Sequence, residues 1–428
     1  MAHFALICPP FASHIHSLSV LGEELVRRGH RATFLLNAGA EVLVKSTALA
    51  VRTVPARPGD PPVERVLENA TRPAGLLGTL RTIAESAALT EQLCEGGREQ
   101  LQRIGADAII GDQLEPAGGL LAMGLRLPFV SFAAALPINR SPGVPLPFVD
   151  RPFDPSPRGM HNTKAVARIG ELLSRRQNRV VERWSRRFGI APPLRTLEDC
   201  LSRTAQIAQV VRGYDFPRPE PVPFEAVGPL RRPEEEAGEQ PLPFILRPGR
   251  PLVFATFGTL QGGRLKLFQA TAAGCNEVGA DLLVAHGGKL SEAEERSIGA
   301  TFVTDFVPYR AVLRHAALCV THGGSNTVLD ALACGVPLLV RPVAFDQKGN
   351  AARIVYRRFG ERMDLRRLPE QIRRLLDDGG YTDRARALAR EIAEAGGRVR
   401  AANIVEAVVS GRAAADSRPH SYRSGTLR

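Results

Sequence analysis

Two stretches of alternating strand-like and helix-like segments, separated by a proline-rich segment, constrain the fold of this chain most strongly. In the first half, the apolar runs "HFALIC", "HRATFLL", "ADAIIGD" and "LPFVSF" are separated by helical patterns such as "SVLGEELVRRG". The alternation begins again with "PLVFATFG", "ADLLVAHGG", "ALCVTHGG" and "VPLLVRP". Strand, helix and strand in this order predict α/β domains, each with a parallel sheet covered by helices on both faces.

The segment 216–250, which is rich in proline and charge, is predicted to be a linker. A chain of 428 residues is long enough for two domains of ordinary size. We therefore predict two Rossmann-like, doubly wound domains, over 1–215 and 251–411, that face each other across a cleft. Residues 412–428 are predicted to be a disordered tail. In sheets of this kind, ligands bind at the carboxyl ends of the strands.

The net charge of +12 does not by itself indicate a nucleic-acid-binding protein. Only five of the 56 basic residues are lysines, so the excess is arginine. Aromatic residues make up 6% of the chain and do not alternate with the basic ones as a base-stacking surface requires. We therefore expect no nucleic-acid partner. An anionic lipid surface or an anionic small ligand remains compatible with the charge.

Cysteine usage and hydropathy predict a cytoplasmic protein with reduced thiols. The six cysteines are scattered and form no C-x-x-C pair, which argues against disulfides and a zinc site. The chain begins with "MAHFALICPPF", which lacks the basic residues and the length of a signal peptide. No run reaches 18 uninterrupted apolar residues, so no membrane-spanning segment is expected.

The segment 164–187 has the pattern of a basic amphipathic helix. It contains eight basic residues against Glu171 and Glu182, together with apolar residues that include Trp184. One interpretation is a surface helix packed on its own domain. The other is a peripheral contact with an anionic membrane, on the cytoplasmic side of the inner membrane.

The sequence "CVTHGGSNTVLDALACGVPLLVRPVAFDQ", residues 319–347, carries the clearest chemical signal. A strand ends at His322 and two glycines, and "SNT" then begins a helix. The amino end of a helix offers unpaired N–H groups and partial positive charge, which together bind phosphate. Taken alone, the pattern is equally typical of an ordinary strand-to-helix turn.

Three further polar residues follow His322 along the same predicted sheet edge. Asp330 lies eight residues later, near the start of the helix, where a carboxylate can reach the hydroxyls of a ribose. Asp346 and Gln347 end the next strand, and a carboxylate beside an amide suits two adjacent sugar hydroxyls. Partners for phosphate, ribose and sugar in this order predict a nucleotide-sugar site.

This stretch resembles the nucleotide-sugar signature of the family 1 glycosyltransferases of GT-B architecture. The resemblance implies a GT-B fold and assigns roles to the residues that match the motif. It assigns the diphosphate to His322, Gly324, Asn326 and Thr327, the ribose to Asp330, and the sugar to Asp346 and Gln347. The preceding "DFVPYRAVLRHAAL" matches the segment whose aromatic residue, here Phe306, stacks on uracil. The loop "FATFGTLQG" resembles the one whose hydroxyl, here that of Thr259, contacts the phosphates.

The amino-terminal "CPPFASHIHSLSVLGEELVRRGHRATF" resembles the part of the family that carries the catalytic base. The resemblance assigns that base to His14, and a histidine that titrates near neutrality can accept the proton of an attacking hydroxyl. His16, on the same loop, is the alternative. The resemblance also assigns to Asp112, at the end of "DAIIGD", the carboxylate that orients this histidine and balances its charge.

A narrower resemblance, carried by "PPF.SH", "GTLQG", "THGG.NTVLDA", "AFDQ" and "RIVY", is to the members of this family that glucosylate carotenoids in bacteria. It implies an inverting transfer of glucose from UDP-glucose to a hydroxylated carotenoid, zeaxanthin. The chain has no D-x-D motif, so we expect no metal ion. Alternatives are transfer from a UDP- or dTDP-sugar to a soluble polyketide or other natural product, an epimerase of nucleotide sugars, and a non-catalytic sugar-nucleotide-binding protein that acts on a partner.

Overall fold

The computed structural model describes residues 1–71, 75–237, 241–242, 244–245 and 247–411 as two α/β domains. The first contains a seven-stranded parallel sheet in the order β3-β2-β1-β4-β5-β6-β7. Its strands are β1 (His3–Ile7), β2 (Arg31–Asn37), β3 (Ala50–Val54), β4 (Ala108–Asp112), β5 (Phe129–Ala133), β6 (Ala205–Ala208) and β7 (Glu225–Ala226). The helices of this half are α1 (Ala12–Arg27), α2 (Val63–Thr71), α3 (Gly75–Ile104), α4 (Ala117–Leu125), α5 (Pro157–Leu173) and α6 (Arg175–Arg187).

The second domain contains a six-stranded parallel sheet in the order β10-β9-β8-β11-β12-β13. Its strands are β8 (Leu252–Thr256), β9 (Asp281–Ala285), β10 (Phe302–Thr304), β11 (Ala316–Thr321), β12 (Leu338–Val340) and β13 (Gly360–Arg362). The remaining helices are α7 (Pro233–Ala237), α8 (Gly258–Gln261), α9 (Leu265–Val278), α10 (Glu292–Arg296), α11 (Tyr309–Leu313), α12 (Ser325–Ala333), α13 (Gln347–Arg357), α14 (Leu368–Asp377), α15 (Gly379–Glu394) and α16 (Gly397–Val409).

The predicted α/β class is confirmed, and the burial of the central strands explains it. Every residue of β1, β4, β8 and β9 is buried, as expected for parallel strands that are covered on both faces. Alternate residues of β1 enter opposite cores, since Phe4 and Leu6 pack on one face of the sheet and Ala5 and Ile7 on the other.

The domain boundaries differ from the predicted ones in two places. Glu225–Ala226 lies inside the predicted linker, yet it pairs with β6 as the edge strand of the first sheet. Helix α16 lies inside the predicted second domain, but Ala401 and Val405 are fully buried in the core of the first. The apolar face of α16 thus packs on α1. The last described helix therefore belongs to the core of the first domain. The predicted tail, 412–428, is outside the described residues.

The predicted basic helix is two helices, α5 and α6, separated at Ser174. Trp184 is only 4% exposed and packs in the core of the first domain with Val180 and Val181. The structure therefore shows α6 packed on its own domain, and Trp184 is not on the surface. The outer side of α5 is different, because Ile169 remains 57% exposed. Within the described part of the chain, no helix is both long and apolar enough to cross a membrane.

Replacing Trp184 by alanine is expected to lower the free energy of unfolding by about 3–5 kcal/mol, because a buried aromatic side chain leaves a cavity. The matched change Ile169→Ala, on the neighbouring helix, removes an exposed side chain and should stay within about 0.5 kcal/mol of the parent. Urea unfolding followed by circular dichroism measures both. Equal losses in the two variants would contradict the packing described for α6.

Candidate active site

The residues predicted for proton transfer lie at the carboxyl ends of two neighbouring strands. His14 is in the first turn of α1, directly after β1, and Asp112 is the last residue of β4. The two strands pair in parallel, with Ile7 opposite Gly111. This register brings the imidazole and the carboxylate together although the residues are 98 positions apart in the sequence.

His14 and Asp112 form a buried hydrogen-bonded pair. The Nδ1 atom of His14 lies 2.9 Å from the Oδ2 atom of Asp112, and His14 is 8% exposed. Since an ionised carboxylate only accepts, this hydrogen bond places the imidazole proton on Nδ1 and leaves the lone pair of Nε2 available. The other carboxylate oxygen of Asp112 accepts a hydrogen bond from the backbone N–H of Leu114 at 2.8 Å. The arrangement orients one nitrogen of His14 as a proton acceptor.

Carboxylates raise the pKa of His14. Burial acts to lower it, but the nearby charge of Asp112, its hydrogen bond and the charge of Asp346 together more than offset this effect. Asp346 belongs to the second domain, so a carboxylate of one half of the site acts on the histidine of the other.

His16, the alternative base, has a different environment. Its Nε2 atom lies 3.6 Å from the Oε1 atom of Glu235, beyond hydrogen-bonding distance. Burial lowers the pKa of His16, an effect that outweighs the charge of Glu235. The geometry therefore favours His14 over His16 as the proton acceptor, and the role of base remains a prediction.

The predicted phosphate-binding turn joins β11 to α12. Gly323 adopts a φ of 87°, a conformation that other residues rarely take, and Gly324 is the residue before the first turn of α12. A Cβ atom at Gly324 would lie 2.6 Å from the Nε2 atom of His322. The turn thus leaves the imidazole of His322 beside the open amino end of α12, with Asn326 and Thr327 in its first turn.

The loop after β8 adjoins this turn because β8 and β11 are neighbouring strands. A Cβ atom at Gly258 would come within 2.9 Å of the imidazole of His322, and Thr259 follows with an exposed side chain. Burial lowers the pKa of His322 to about 4, against a backbone hydrogen bond with Thr256 that acts to raise it. His322 is therefore neutral at pH 7. The positive potential of this site comes from the helix end and not from a charged histidine.

Two arginines bind the carboxylate of Asp330, and the sequence did not indicate either of them. Arg231 donates to both carboxylate oxygens, at 2.9 and 3.1 Å, and Arg310 donates to Oδ1 at 2.9 Å. Burial acts to raise the pKa of Asp330, but the two guanidinium groups more than offset this and lower it. Arg231 comes from the segment between the domains, so this ion pair ties that segment to α12. The predicted contact of Asp330 with ribose remains a prediction.

Asp346 and Gln347 are held by neighbouring polar groups. The Oδ2 atom of Asp346 accepts hydrogen bonds from Ser325 at 2.6 Å and from Asn350 at 3.1 Å. The side-chain oxygen of Gln347 accepts from the backbone N–H groups of Val343 and Ala344, both at 2.8 Å. Its NH₂ group therefore remains the end that can contact a sugar hydroxyl. Asn350 was not predicted, although it lies only three residues after Gln347 in "FDQKGN".

Phe306 lies at the edge of the cleft as an exposed aromatic surface. Its side chain is 66% exposed, and its ring lies 3.7 Å from the position that a Cβ atom at Gly288 would take. An exposed ring on a structured loop is suited to stacking with a nucleobase. The predicted contact with uracil is therefore compatible with the geometry.

One group among the described residues has the composition of a metal site: His286, Glu295 and Asp305. The Nδ1 atom of His286 accepts from the backbone N–H groups of Lys289 and Leu290, both at 3.1 Å. The proton of the neutral imidazole is therefore on Nε2, which lies 3.0 and 2.9 Å from the carboxylates. In this tautomer Nε2 has no lone pair to offer a metal ion.

Two Rossmann-like domains, with a histidine–carboxylate pair in one and a helix end beside polar side chains in the other, define a glycosyltransferase of GT-B architecture. The family model described as UDP-glucoronosyl and UDP-glucosyl transferase matches residues 4–384. The chain therefore belongs to this family and is a transferase.

Relatives agree with this assignment, and solved structures agree with the fold. The chain is 39% identical to a zeaxanthin glucosyltransferase of Pantoea ananas over 96% of both chains. It is equally similar to one from Pseudescherichia vulneris, over 96% of this chain and 99% of the relative. Among solved structures, the glycotransferase of kitacinnamycin has a TM-score of 0.73 at 20% identity, covering 95% of this chain and 99% of its own. The calicheamicin glycosyltransferase has a TM-score of 0.70 at 23% identity, over 96% and 98%.

Nuclear magnetic resonance titration of selectively labelled histidines is expected to give a pKa above 6.5 for His14. In Asp112→Asn, burial remains and the larger of the two carboxylate charges that oppose it is lost, so the pKa of His14 should fall relative to that of the parent. The direction of this shift is the test, and the resonance of His16 serves as an internal reference because Asp112 has no contact with it. An unchanged His14 titration in Asp112→Asn would contradict the coupling described here.

Proposed function

We propose that this protein transfers glucose from UDP-glucose to a hydroxyl group of a lipophilic acceptor, zeaxanthin, with inversion at the anomeric carbon. The observation that carries this proposal is the 39% identity, over 96% of both chains, to the zeaxanthin glucosyltransferase of Pantoea ananas. Similarity along the whole chain includes the first domain, which supplies the acceptor side of the cleft in the proposed arrangement. Sequence similarity limited to the nucleotide-sugar motif would support only the identity of the donor.

In the proposed mechanism, the Nε2 atom of His14 accepts the proton of the acceptor hydroxyl as its oxygen attacks the anomeric carbon. The bond from that carbon to the diphosphate oxygen breaks, and UDP leaves on the opposite side. Asp112 stabilises the imidazolium that forms, as in other histidine–carboxylate pairs. The 2.9 Å hydrogen bond to Asp112 and the raised pKa of His14 support this assignment.

We propose that groups of the protein, and no metal ion, stabilise the negative charge on the leaving diphosphate. The amino end of α12 supplies backbone N–H groups at Gly324, Asn326 and Thr327, the hydroxyl of Thr259 supplies a further donor, and the neutral imidazole of His322 lies beside them. Donors that are already oriented need no reorganisation when the charge develops. The proximity of the β8 and β11 loops supports this arrangement.

The remaining proposed contacts with the donor involve its uracil, glucose and ribose. Phe306 stacks on the uracil ring, and Asp346 with the NH₂ group of Gln347 binds the hydroxyls of glucose. Asp330 accepts two hydrogen bonds at Oδ1 and one at Oδ2, so Oδ2 keeps a lone pair for a ribose hydroxyl. In this proposal Arg231 and Arg310 keep Asp330 ionised and in place.

We also propose that the outer side of α5 and the start of α6 contact an anionic membrane, where a lipophilic acceptor is dissolved. Ile169 and Leu172 are 57% and 50% exposed, at neighbouring positions of one helical face. Five exposed basic residues of α5 and α6 have no ion pair within the described residues: Lys164, Arg168, Arg175, Arg176 and Arg179. Each basic residue near such a surface contributes about 1 kcal/mol of attraction.

Binding of the protein to liposomes tests this contact. We expect cosedimentation with vesicles that contain anionic phosphatidylglycerol, and much less with neutral phosphatidylcholine vesicles or at high salt. Replacing Ile169 and Leu172 together by serine should weaken binding by about tenfold or more, since both side chains lose apolar contact. The matched double change of the exposed Val42 and Val399, both to serine, is the control. Equal binding by both double variants would remove the α5 surface from the proposal.

The central measurement is UDP release from UDP-glucose, with and without zeaxanthin in detergent micelles. We expect release to require zeaxanthin, to be accompanied by a more polar carotenoid product, and to be unaffected by a chelator of divalent ions. In His14→Ala the rate should fall by about 10²–10⁴-fold while UDP still binds, because only the base is lost. His16→Ala is the matched control and should retain turnover.

Two outcomes would change the proposal. UDP binding without any zeaxanthin-dependent release would favour a soluble acceptor, as in the alternative of a natural-product glycosyltransferase, or a dTDP-sugar donor. Full turnover in His14→Ala would contradict the assigned base.

A further inference from the structure

Two phenylalanines, one from each domain, meet between the two halves of the candidate site. The rings of Phe11 and Phe345 have centroids 5.8 Å apart and are tilted by 56°, an arrangement that gives favourable aromatic contact. Phe11 is the residue before the first turn of α1, and Phe345 lies in the loop between β12 and α13. Both side chains are half-buried. The motifs of the nucleotide-sugar site leave this contact without a role.

Each of the two rings lies next to a residue of the candidate site. The ring of Phe11 lies 6.1 Å from the ring of His14, and Phe345 is the residue immediately before Asp346. The contact therefore lies beside the proposed base on one side and beside the sugar-binding carboxylate on the other.

The backbone of Phe345 is held in an unfavourable conformation. Its φ of 52° is in the left-handed region, which a bulky aromatic residue seldom adopts. Hydrogen bonds on both sides support the loop: Gln347 accepts from the N–H groups of Val343 and Ala344, and Asp346 is held by Ser325 and Asn350. The surrounding contacts thus maintain a costly conformation that directs this ring toward Phe11.

The contact is not needed to hold the domains together. Tyr214 donates a hydrogen bond to the side chain of Asn350 at 2.6 Å, and Arg353 binds Asp215 at 2.7 Å. Both are buried links between the domains. The loop before α5 adds a further link, from the N–H of Gly349 to the carbonyl of Pro147 at 3.0 Å. A role for the Phe11–Phe345 contact must therefore be sought at the site itself.

We propose that Phe11 and Phe345 form an aromatic clamp that closes over the anomeric carbon and keeps water out, so that the sugar passes to an apolar acceptor and not to solvent. The proposal rests on the proposed function. In the reaction that the clamp suppresses, a water oxygen bonds to the anomeric carbon, the bond from that carbon to the diphosphate oxygen breaks, and UDP leaves with the electron pair. His14 accepts the proton of the water. The products are glucose and UDP.

The clamp also fits the chemistry of the proposed acceptor. Two apolar rings that part to admit a substrate regain contact area only from an apolar group, because a polar group would lose hydrogen bonds to water between them. The terminal ring of a hydroxylated hydrocarbon has an apolar body and one polar atom. It can lie against the phenylalanines while its hydroxyl points to His14.

The test compares hydrolysis with transfer in Phe11→Ala, Phe345→Ala and the parent. We expect release of UDP from UDP-glucose without acceptor to rise by about tenfold or more in both variants, and transfer to zeaxanthin to fall relative to hydrolysis. Phe188→Ala is the matched control, since Phe188 is a half-buried phenylalanine that packs on Gly124 at the far end of α4. Its ratio of hydrolysis to transfer should equal that of the parent.

A second variant separates the ring from the backbone strain. Phe345→Gly removes the ring and tolerates the positive φ, so it should fold at least as stably as Phe345→Ala and hydrolyse UDP-glucose equally fast. Hydrolysis at the parent rate in Phe11→Ala and Phe345→Gly overturns the clamp, whether or not zeaxanthin is an acceptor. A parent enzyme that transfers nothing to zeaxanthin, with faster hydrolysis in the variants, overturns the proposed acceptor and keeps the clamp.

Discussion

The buried ion pair between Arg353 and Asp215 joins the two domains, and every feature of the site depends on how they meet. Arg353 donates to one oxygen of Asp215, and Arg218 donates to the other, both at 2.7 Å. Burial acts to raise the pKa of Asp215, but the two arginines more than offset it, so the carboxyl has a lowered pKa and remains ionised. Removing one partner of such a buried pair costs about 3–5 kcal/mol, because the other charge is left uncompensated. Arg353 lies on α13, the helix that begins at Gln347, so the same helix fixes the domain contact and carries a residue for which a sugar contact is predicted.

The two histidines of the site differ in charge because of their neighbours. Burial lowers the pKa of His322 to about 4, against a backbone hydrogen bond with Thr256 that acts to raise it, so this side chain is neutral at pH 7. His14 is also buried, but Asp112 and Asp346 raise its pKa. One environment thus suits a group that contacts a diphosphate without titrating, and the other suits a group that gains a proton during the reaction. Asp346 connects the two halves of the site, since it belongs to the second domain and its charge raises the pKa of a histidine in the first.

How far the sequence predicted the fold and the site depends on whether the signal was local. The strands that flank His14, Asp112, His322 and Asp346 were predicted, because each is a short buried run followed by a turn. The pairing of Asp330 with Arg231 and Arg310 was not predictable, since the three residues come from separate segments and an arginine-rich sequence offers many candidates. The same holds for α16. Its periodicity indicated a helix, but nothing in it indicated that Ala401 and Val405 would pack in the first domain. Trp184 shows a further limit of prediction from sequence. An amphipathic helical pattern is equally compatible with packing on a protein and with binding to a membrane.

The sequence by itself determined the two parallel α/β domains, the order of the site residues along the chain and the family to which the chain belongs. These features follow from local patterns: alternation of buried strands with helices, and polar residues where strands end. Only the tertiary structure decided which residues of the two domains meet. The contact of Phe11 with Phe345, the effect of Asp346 on His14 and the use of Arg231 to hold Asp330 all cross between segments that are far apart in the chain. Such contacts depend on the relative placement of two separately folded sheets, and that placement is set by buried pairs such as Arg353 and Asp215, which leave no periodic signal in the sequence.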